Sequence, residues 1–289
     1  MDIASIIGII ASFGFVLYGY AMEGGNVAGL MMLSAMVITC GGTLGAVMLS
    51  FGFENLKNFP KLVFEAFRRP KSRINQTIDF LISLSRTAKQ NGLLSLEKSI
   101  IDAEGQKGGV DPYVKKGILL AVDGTDPEKI EEILSNDIYI YEQRRLSDIA
   151  MFEVAAQYAP AFGMIGTIVG LIQMLSMGMD DPNTLTKAIG VAFITTLYGS
   201  LLANGFFSPI AQKLKNRLAT YRLEKEMIIS AVCAIRHGIN PKMLHEQLEA
   251  YATGTKRRRA EVLRMVGADR NTAGTTRSGS GTGSTTLGS

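Results

Sequence analysis

The stretch VAFITTLYGSLLANGFFSP, residues 191–209, is long and apolar enough to cross a membrane. A helix rises 1.5 Å per residue, so its length approaches the ~30 Å of hydrocarbon in a bilayer. Yet it carries Thr195, Thr196, Ser200, Asn204, two glycines and a terminal proline, Pro209. A polar group left unpaired in hydrocarbon costs several kcal/mol. These side chains therefore belong where another helix, a partner or an ion faces them.

The charges support a membrane reading. Of 289 residues, 47% are hydrophobic. Residues 1–53 contain no Lys or Arg, nor do 151–186 or 188–212; the 30 basic residues fall in 57–145, at Lys187 and from Lys213 onward. A soluble domain scatters its charges, whereas this is the pattern of an integral membrane protein with cytoplasmic segments. The net charge of +4 is what a positive-inside bias leaves behind, and it does not indicate nucleic-acid binding.

Four spans follow: residues 3–21, 30–53, 152–177 and 185–210, the first pair joined by MEGGNVAG and the second by MGMDDPNT. The first run lacks a basic leader and a cleavage site, so it reads as a retained span. The basic residues place 54–150 and everything after 212 in the cytoplasm, with both termini. The expected organisation is spans 1 and 2 in residues 1–53 and a helical cytoplasmic loop in 54–150. Spans 3 and 4 occupy 151–212, a cytoplasmic helical region 213–270, and a disordered Gly/Ser/Thr-rich tail 271–289. The fold class is an all-α integral membrane protein.

Within the loop, residues 57–69 are amphipathic and end before Pro70. Residues 73–92 repeat Ile74, Ile78, Leu81 and Leu84/Ser85 at helical spacing, with Gly92 as a stop. Residues 126–134 begin with a cap residue and a proline. No stop signal separates them from the third span, so one long helix is expected to run from cytoplasm into membrane. Residues 213–235 continue the fourth span as a polar amphipathic helix. Cys40 and Cys233 match no metal or redox spacing and read as reduced and structural; His237 and His245, eight apart in one charged helix, read as solvated.

No phosphate loop, dinucleotide fingerprint, metalloprotease helix or nucleophile elbow is present, so nothing indicates an enzyme or a bound cofactor. The spans also lack an ionisable side chain away from their ends, Glu153 lying at the cytoplasmic edge. Ion carriers normally place such a group inside the membrane. If this chain moves ions, a partner supplies it.

Spans 3 and 4 each carry a small, polar face. Pro160, Gly163 and Thr167 share one side of span 3, and Gly166 and Gly170 form G-x-x-x-G. In span 4, Ala188, Ala192, Thr196, Ser200 and Asn204 recur every four residues, with Gly199 beside them. Two readings fit. Small residues line helix–helix contacts, and threonine satisfies its hydroxyl on the carbonyl four residues back. Alternatively, Thr167 and Thr196 touch a permeating ion, and Pro160 frees a carbonyl one turn earlier.

APAFGMIGTIVGLIQML (159–175), the acidic turn and TTLYGSLLANGFFSP (195–209) resemble the flagellar motor stator family MotA/PomA, as does AKQNGLLSLE (88–97) in the loop. The resemblance covers residues 1 to about 245. It implies a homopentamer around two copies of a single-span MotB/PomB-type subunit, which supplies the membrane carboxylate and is anchored to peptidoglycan. Ion flow turns the ring, and cytoplasmic charges push the rotor switch protein FliG. Carried onto this sequence, the ion pathway holds Thr167 and Thr196 with Thr195 in support. Pro160 and Pro209 are coupling hinges, and Lys89, Glu97 and Arg86 face the rotor.

Two positions depart from the family's pattern: Lys89 stands where Arg is common, and Gln157 where Asp is common. Glu153, one turn earlier, is the acid that could substitute at the second. TTLYG resembles the sodium-type PomA branch, which points to Na+ as the transported ion, with H+ as the alternative, in the cell inner membrane. The rival readings are an ExbB/TolQ-like energiser and a self-contained solute carrier. A carrier usually shows internal repeats and its own membrane charges, and the sequence has neither.

Overall fold

A computed structural model describes residues 3–68, 74–105, 109–176 and 182–252. The expected disordered tail, Pro70 and most of the acidic turn lie outside them. Among the described residues there is no strand. The helices are α1 (Ile3–Met22), α2 (Leu33–Met36), α3 (Gly42–Leu56), α4 (Phe59–Phe67), α5 (Ile74–Asn91), α6 (Ser95–Glu104), α7 (Pro112–Val122), α8 (Pro127–Ser176), α9 (Pro182–Leu201) and α10 (Ser208–Arg236). A last helical segment covers residues 241–252.

Several sequence expectations hold. α5 starts and stops where the periodicity places it, and Gly92 takes φ +83° just past its end, a left-handed conformation open to glycine. α8 is a single 50-residue helix that begins at Pro127. Others need correction. The second apolar run is not one even helix: α2 passes through a π-helical turn, Val37–Gly41, into α3, and Gly52 at φ +71° interrupts α3. The fourth run continues into the polar helix as expected, but not evenly. A second π-helical turn, Leu202–Phe207, joins α9 to α10, and the helix continues to Arg236. His237 and His245 fall in different elements, a turn and the last helical segment.

Among the described residues, three stretches, Leu33–Phe53, Pro127–Ser176 and Leu185–Arg236, are long and apolar enough to cross a membrane; Ile6–Met22 is a shorter apolar helix.

The chain divides into two compact units. The first comprises residues 1–71 and 136–222. Here α4 uses its apolar face, Leu62 and Ala66, to cover Ile149, Phe152, Ile210 and Leu214, with Phe59 stacked on Phe152 at 4.8 Å. Arg217 donates to the backbone carbonyls of Glu65, Ala66 and Arg68, placing a cation at the C-terminal end of α4, where the helix dipole is negative. Arg145 pairs with Glu65 on the same helix.

The second unit comprises residues 72–135 and 223–289. Its core holds Ile78, Leu81, Leu96, Ile100, Ile118, Ile130, Leu134, Met227, Val232 and Leu244. Asp111 caps α7 by accepting from the Tyr113 amide at 2.8 Å, and its carboxylate also holds Lys225 Nζ at 2.7 and 2.9 Å. The Lys225 side chain is only 8% exposed. Asp111→Ala removes the cap and strips a buried ammonium of its carboxylate. The expected loss is about 3 kcal/mol, visible as faster amide exchange in α7 of the intact protein.

Burial raises the Glu224 carboxyl above its usual range, although Lys225 opposes the rise. Above the ordinary value of 4.5 the native state therefore holds a proton that the unfolded chain has released, and stability falls as pH climbs through that window. Glu224→Gln should raise the melting temperature at neutral pH, with the gain vanishing below the ordinary carboxylate range.

Candidate ion-conducting site

α8 and α9 meet at backbone contact because their facing residues are small. Gly163, Gly166, Gly170 and Gly199 are all buried. A β-carbon at Gly166 would stand 2.5 Å from Thr195 Cβ, one at Gly170 2.8 Å from the Ala188 carbonyl oxygen, and one at Gly199 2.5 Å from that of Ala159. Only glycine permits this approach.

The seam brings two hydroxyls together. Thr167 Oγ1 lies 2.6 Å from Thr196 Oγ1. Each hydroxyl reaches the carbonyl four residues back in its own helix and the matching carbonyl of the other. Thr167 Oγ1 is 3.3 Å from the Gly163 oxygen and 3.0 Å from that of Ala192. Thr196 Oγ1 is 3.4 Å from both. Each hydroxyl has one proton and three acceptors in reach, so it can rotate among them and keep lone pairs available. Four oxygens thus converge on one spot, and Thr196 is exposed. The site has a polar, open side on an otherwise apolar helix, beside outward-facing Ile168, Ile172 and Phe193.

Thr195 sits elsewhere. It is fully buried in the seam, donates to the Ala192 oxygen at 2.9 Å and fills the space left by Gly166. Its carbonyl accepts from Thr39, itself fully buried in the π-helical turn before α3, at 3.4 Å. Tyr198 anchors the other side of α9 by donating to the Leu30 oxygen at 2.5 Å. The repeat of small residues in the fourth run also divides: Ala188 and Ala192 are buried, whereas Thr196, Ser200 and Asn204 are exposed.

Pro160 lies inside α8, where it withholds an amide proton from the Ala156 carbonyl. Pro209 lies in the first turn of α10, directly after the π-helical turn. Glu153 lines a cleft with Ala156, Gln157, Asn204, Ser208 and Gln212, and pairs with Lys215. Sequence reasoning missed Ser208, Gln212 and Lys215, although the first two extend the four-residue spacing from Thr196. In the second unit, Arg86 and Lys89 on α5 and Glu97 in the first turn of α6 are exposed, with no ion-pair partner among the described residues.

The small-residue seams and outward apolar faces define the class, a helical membrane protein. The family model for the MotA/TolQ/ExbB proton channel family matches residues 106–227, and that for the motility protein A N-terminal region matches 6–92. The uncharacterized protein YtxD of Bacillus subtilis strain 168 is 36% identical over 235 residues, 80% of this chain and 84% of its own length. The chemotaxis protein PomA of Vibrio alginolyticus is 33% identical over 257 residues, 89% of this chain and 98% of its own. The flagellar MotAB stator complex of Bacillus subtilis has a chain that superposes with TM-score 0.78 at 31% identity, covering 88% of this chain and 97% of that one. The chain belongs to the MotA/PomA family of flagellar motor stator subunits.

Proposed function

We propose that this subunit conducts sodium ions and couples their flow to rotation of the flagellar motor. In this reading it has four spans in the inner membrane, with both termini cytoplasmic. It works as a homopentamer around two copies of a MotB/PomB-type subunit anchored to peptidoglycan. The observation that carries the reading is the quartet of oxygens at Thr167, Thr196, Gly163 and Ala192.

Sodium is a hard cation that exchanges its water shell for oxygen ligands, and hydroxyls and carbonyls suit it. A bare ion in hydrocarbon would cost on the order of 20 kcal/mol. The quartet lowers that cost from one side, and the partner's carboxylate completes the site on the open side of Thr196. Each ion returns about 2.3 kcal/mol per 100 mV of membrane potential, several times thermal energy. Pro160 and Pro209 flank this region and serve as the hinges through which ion binding moves the helices beyond it.

The test is rotation speed against external sodium in cells carrying this chain and its co-expressed partner. Saturation with sodium and resistance to a proton uncoupler are expected. Speed indifferent to sodium that collapses with the uncoupler would make the ion a proton and the threonines packing residues.

Torque is passed to FliG by exposed charges of the second unit, Lys89 and Glu97, with Arg86 one turn away. A surface charge contact is worth about 1 kcal/mol or less. Single neutralisations should therefore only slow swimming, whereas Lys89→Glu with Glu97→Lys should stop most of it while the complex still assembles. Full swimming by the double reversal would remove these residues from the rotor contact.

A further inference from the structure

We infer that the cleft at Glu153 is a second cation station and that Lys215 is a tethered ammonium which competes with the ion there and releases it. This rests on the reading of the chain as a cation-conducting stator. The cleft is lined by Glu153, Ala156, Gln157, Asn204, Ser208 and Gln212. Its oxygens are of the kind a monovalent cation takes: the Glu153 carboxylate, the three side-chain amides of Gln157, Asn204 and Gln212, and the Ser208 hydroxyl. Pro160 adds to them by leaving the Ala156 carbonyl without its helical donor.

An exposed polar row connects this cleft with the threonine pair. Thr196, Ser200, Asn204, Ser208 and Gln212 follow one another every four residues, and all five are exposed. A spacing of four overshoots the 3.6-residue turn, so in a plain α-helix such a row would drift about 40° per step. The π-helical turn Leu202–Phe207 widens one turn in the middle of the row and brings its later members back toward the first. Across the seam, Glu153 lies 14 residues before Thr167 on the same helix, about 21 Å along its axis. The first station and the cleft are thus separate places joined by polar side chains.

The Glu153 carboxylate is already held by Lys215 Nζ through Oε1, with the two side chains 38% and 44% exposed. One carboxylate edge cannot serve an ammonium and a bound cation equally. An ion arriving from the threonine pair must displace Lys215, and the returning ammonium expels it. Both side chains are open to water, so the exchange is not blocked by burial. Without the lysine, a cation from the cytoplasm would rest on Glu153 and hold up the next ion.

The experiment uses tethered cells carrying the complete complex, with cytoplasmic sodium set by an ionophore and external sodium varied. Lys215→Met should make rotation about tenfold more sensitive to cytoplasmic sodium while leaving half-saturating external sodium within about twofold of wild type. Lys215→Arg, which keeps the charge, should restore the wild-type response. Glu153→Gln lacks the carboxylate and should be less inhibited by cytoplasmic sodium than wild type. It keeps the inference testable if Lys215→Met fails to assemble, and a merely structural ion pair would make both variants alike. Thr167→Ala is the control for the functional reading. If it changes the external sodium dependence while Lys215→Met and Glu153→Gln both respond as wild type, the second station is wrong and the first stands. If wild-type rotation ignores sodium on both sides, the sodium reading itself fails.

Discussion

Gly199→Val is expected to eliminate the assembled complex. A β-carbon at this position would stand 2.5 Å from the Ala159 carbonyl oxygen and 3.1 Å from Pro160 Cα. Both obstacles are backbone of α8, which has no rotamer into which to withdraw, and the proline next to them stiffens it further. Overpacking a core usually costs roughly 1–3 kcal/mol because side chains can yield. Here α8 and α9 must separate as whole helices, and separation also pulls apart Gly163, Gly166 and Gly170 from Thr195 and Ala192. Gly199→Ala should already lower the melting temperature of the detergent-solubilised complex, and the valine should remove its size-exclusion peak. Gly45→Ala is the comparison, since a β-carbon there meets nothing within 4 Å. A normal peak for Gly199→Val would mean that the seam is looser than the structure shows.

The same seam marks how far the sequence could be read. The glycines and alanines announced a close helix pair, and the seven-residue separation of Pro160 and Thr167 set both on one side of the third run. α5 was legible because many residues vote for one face, and α8 because it has a capped start and no stop signal before the third run. The two π-helical turns were not. One extra residue in a turn leaves an apolar pattern almost unchanged, so neither Val37–Gly41 nor Leu202–Phe207 left a signal. Pro209 sits directly after the second of them. A proline removes the bond to the carbonyl four residues back. The wide turn directly before it is where the bonding ladder is reset, and the helix runs on. Thr195 and Thr196 are adjacent and chemically identical. Only the packed helices separate them, one buried against Gly166 and the other exposed beside Thr167. The Glu153–Lys215 pair joins residues 62 positions apart in different helices, a separation that no local pattern records.

Thr196→Ala is expected to abolish sodium-driven rotation while the complex still assembles. The two halves of that expectation have separate reasons. Assembly survives because the substitution orphans nothing. The Ala192 carbonyl, which Thr196 reaches at 3.4 Å, still accepts from Thr195 Oγ1 at 2.9 Å and from Thr167 Oγ1 at 3.0 Å. The lost hydroxyl is on the exposed side, so no buried cavity opens. Rotation fails because Thr196 supplies the one oxygen of the quartet on the open side, where an incoming ion and the partner's carboxylate must meet. A ligand bond to a charged species contributes about 1.5–3 kcal/mol, which is roughly ten- to a hundredfold in affinity. Thr167→Ala loses an oxygen deeper in the seam and should raise the half-saturating sodium by that factor without stopping the motor. Thr196→Ser keeps the oxygen and frees its rotamer by removing the branch at Cβ, so it should rotate with a modestly higher sodium requirement. Rotation speed against sodium in the three variants, each with its complex quantified, distinguishes an ion ligand from a packing residue. A packing role predicts that Thr196→Val, which restores the shape without the hydroxyl, rotates normally. An ion ligand predicts that valine is as inert as alanine.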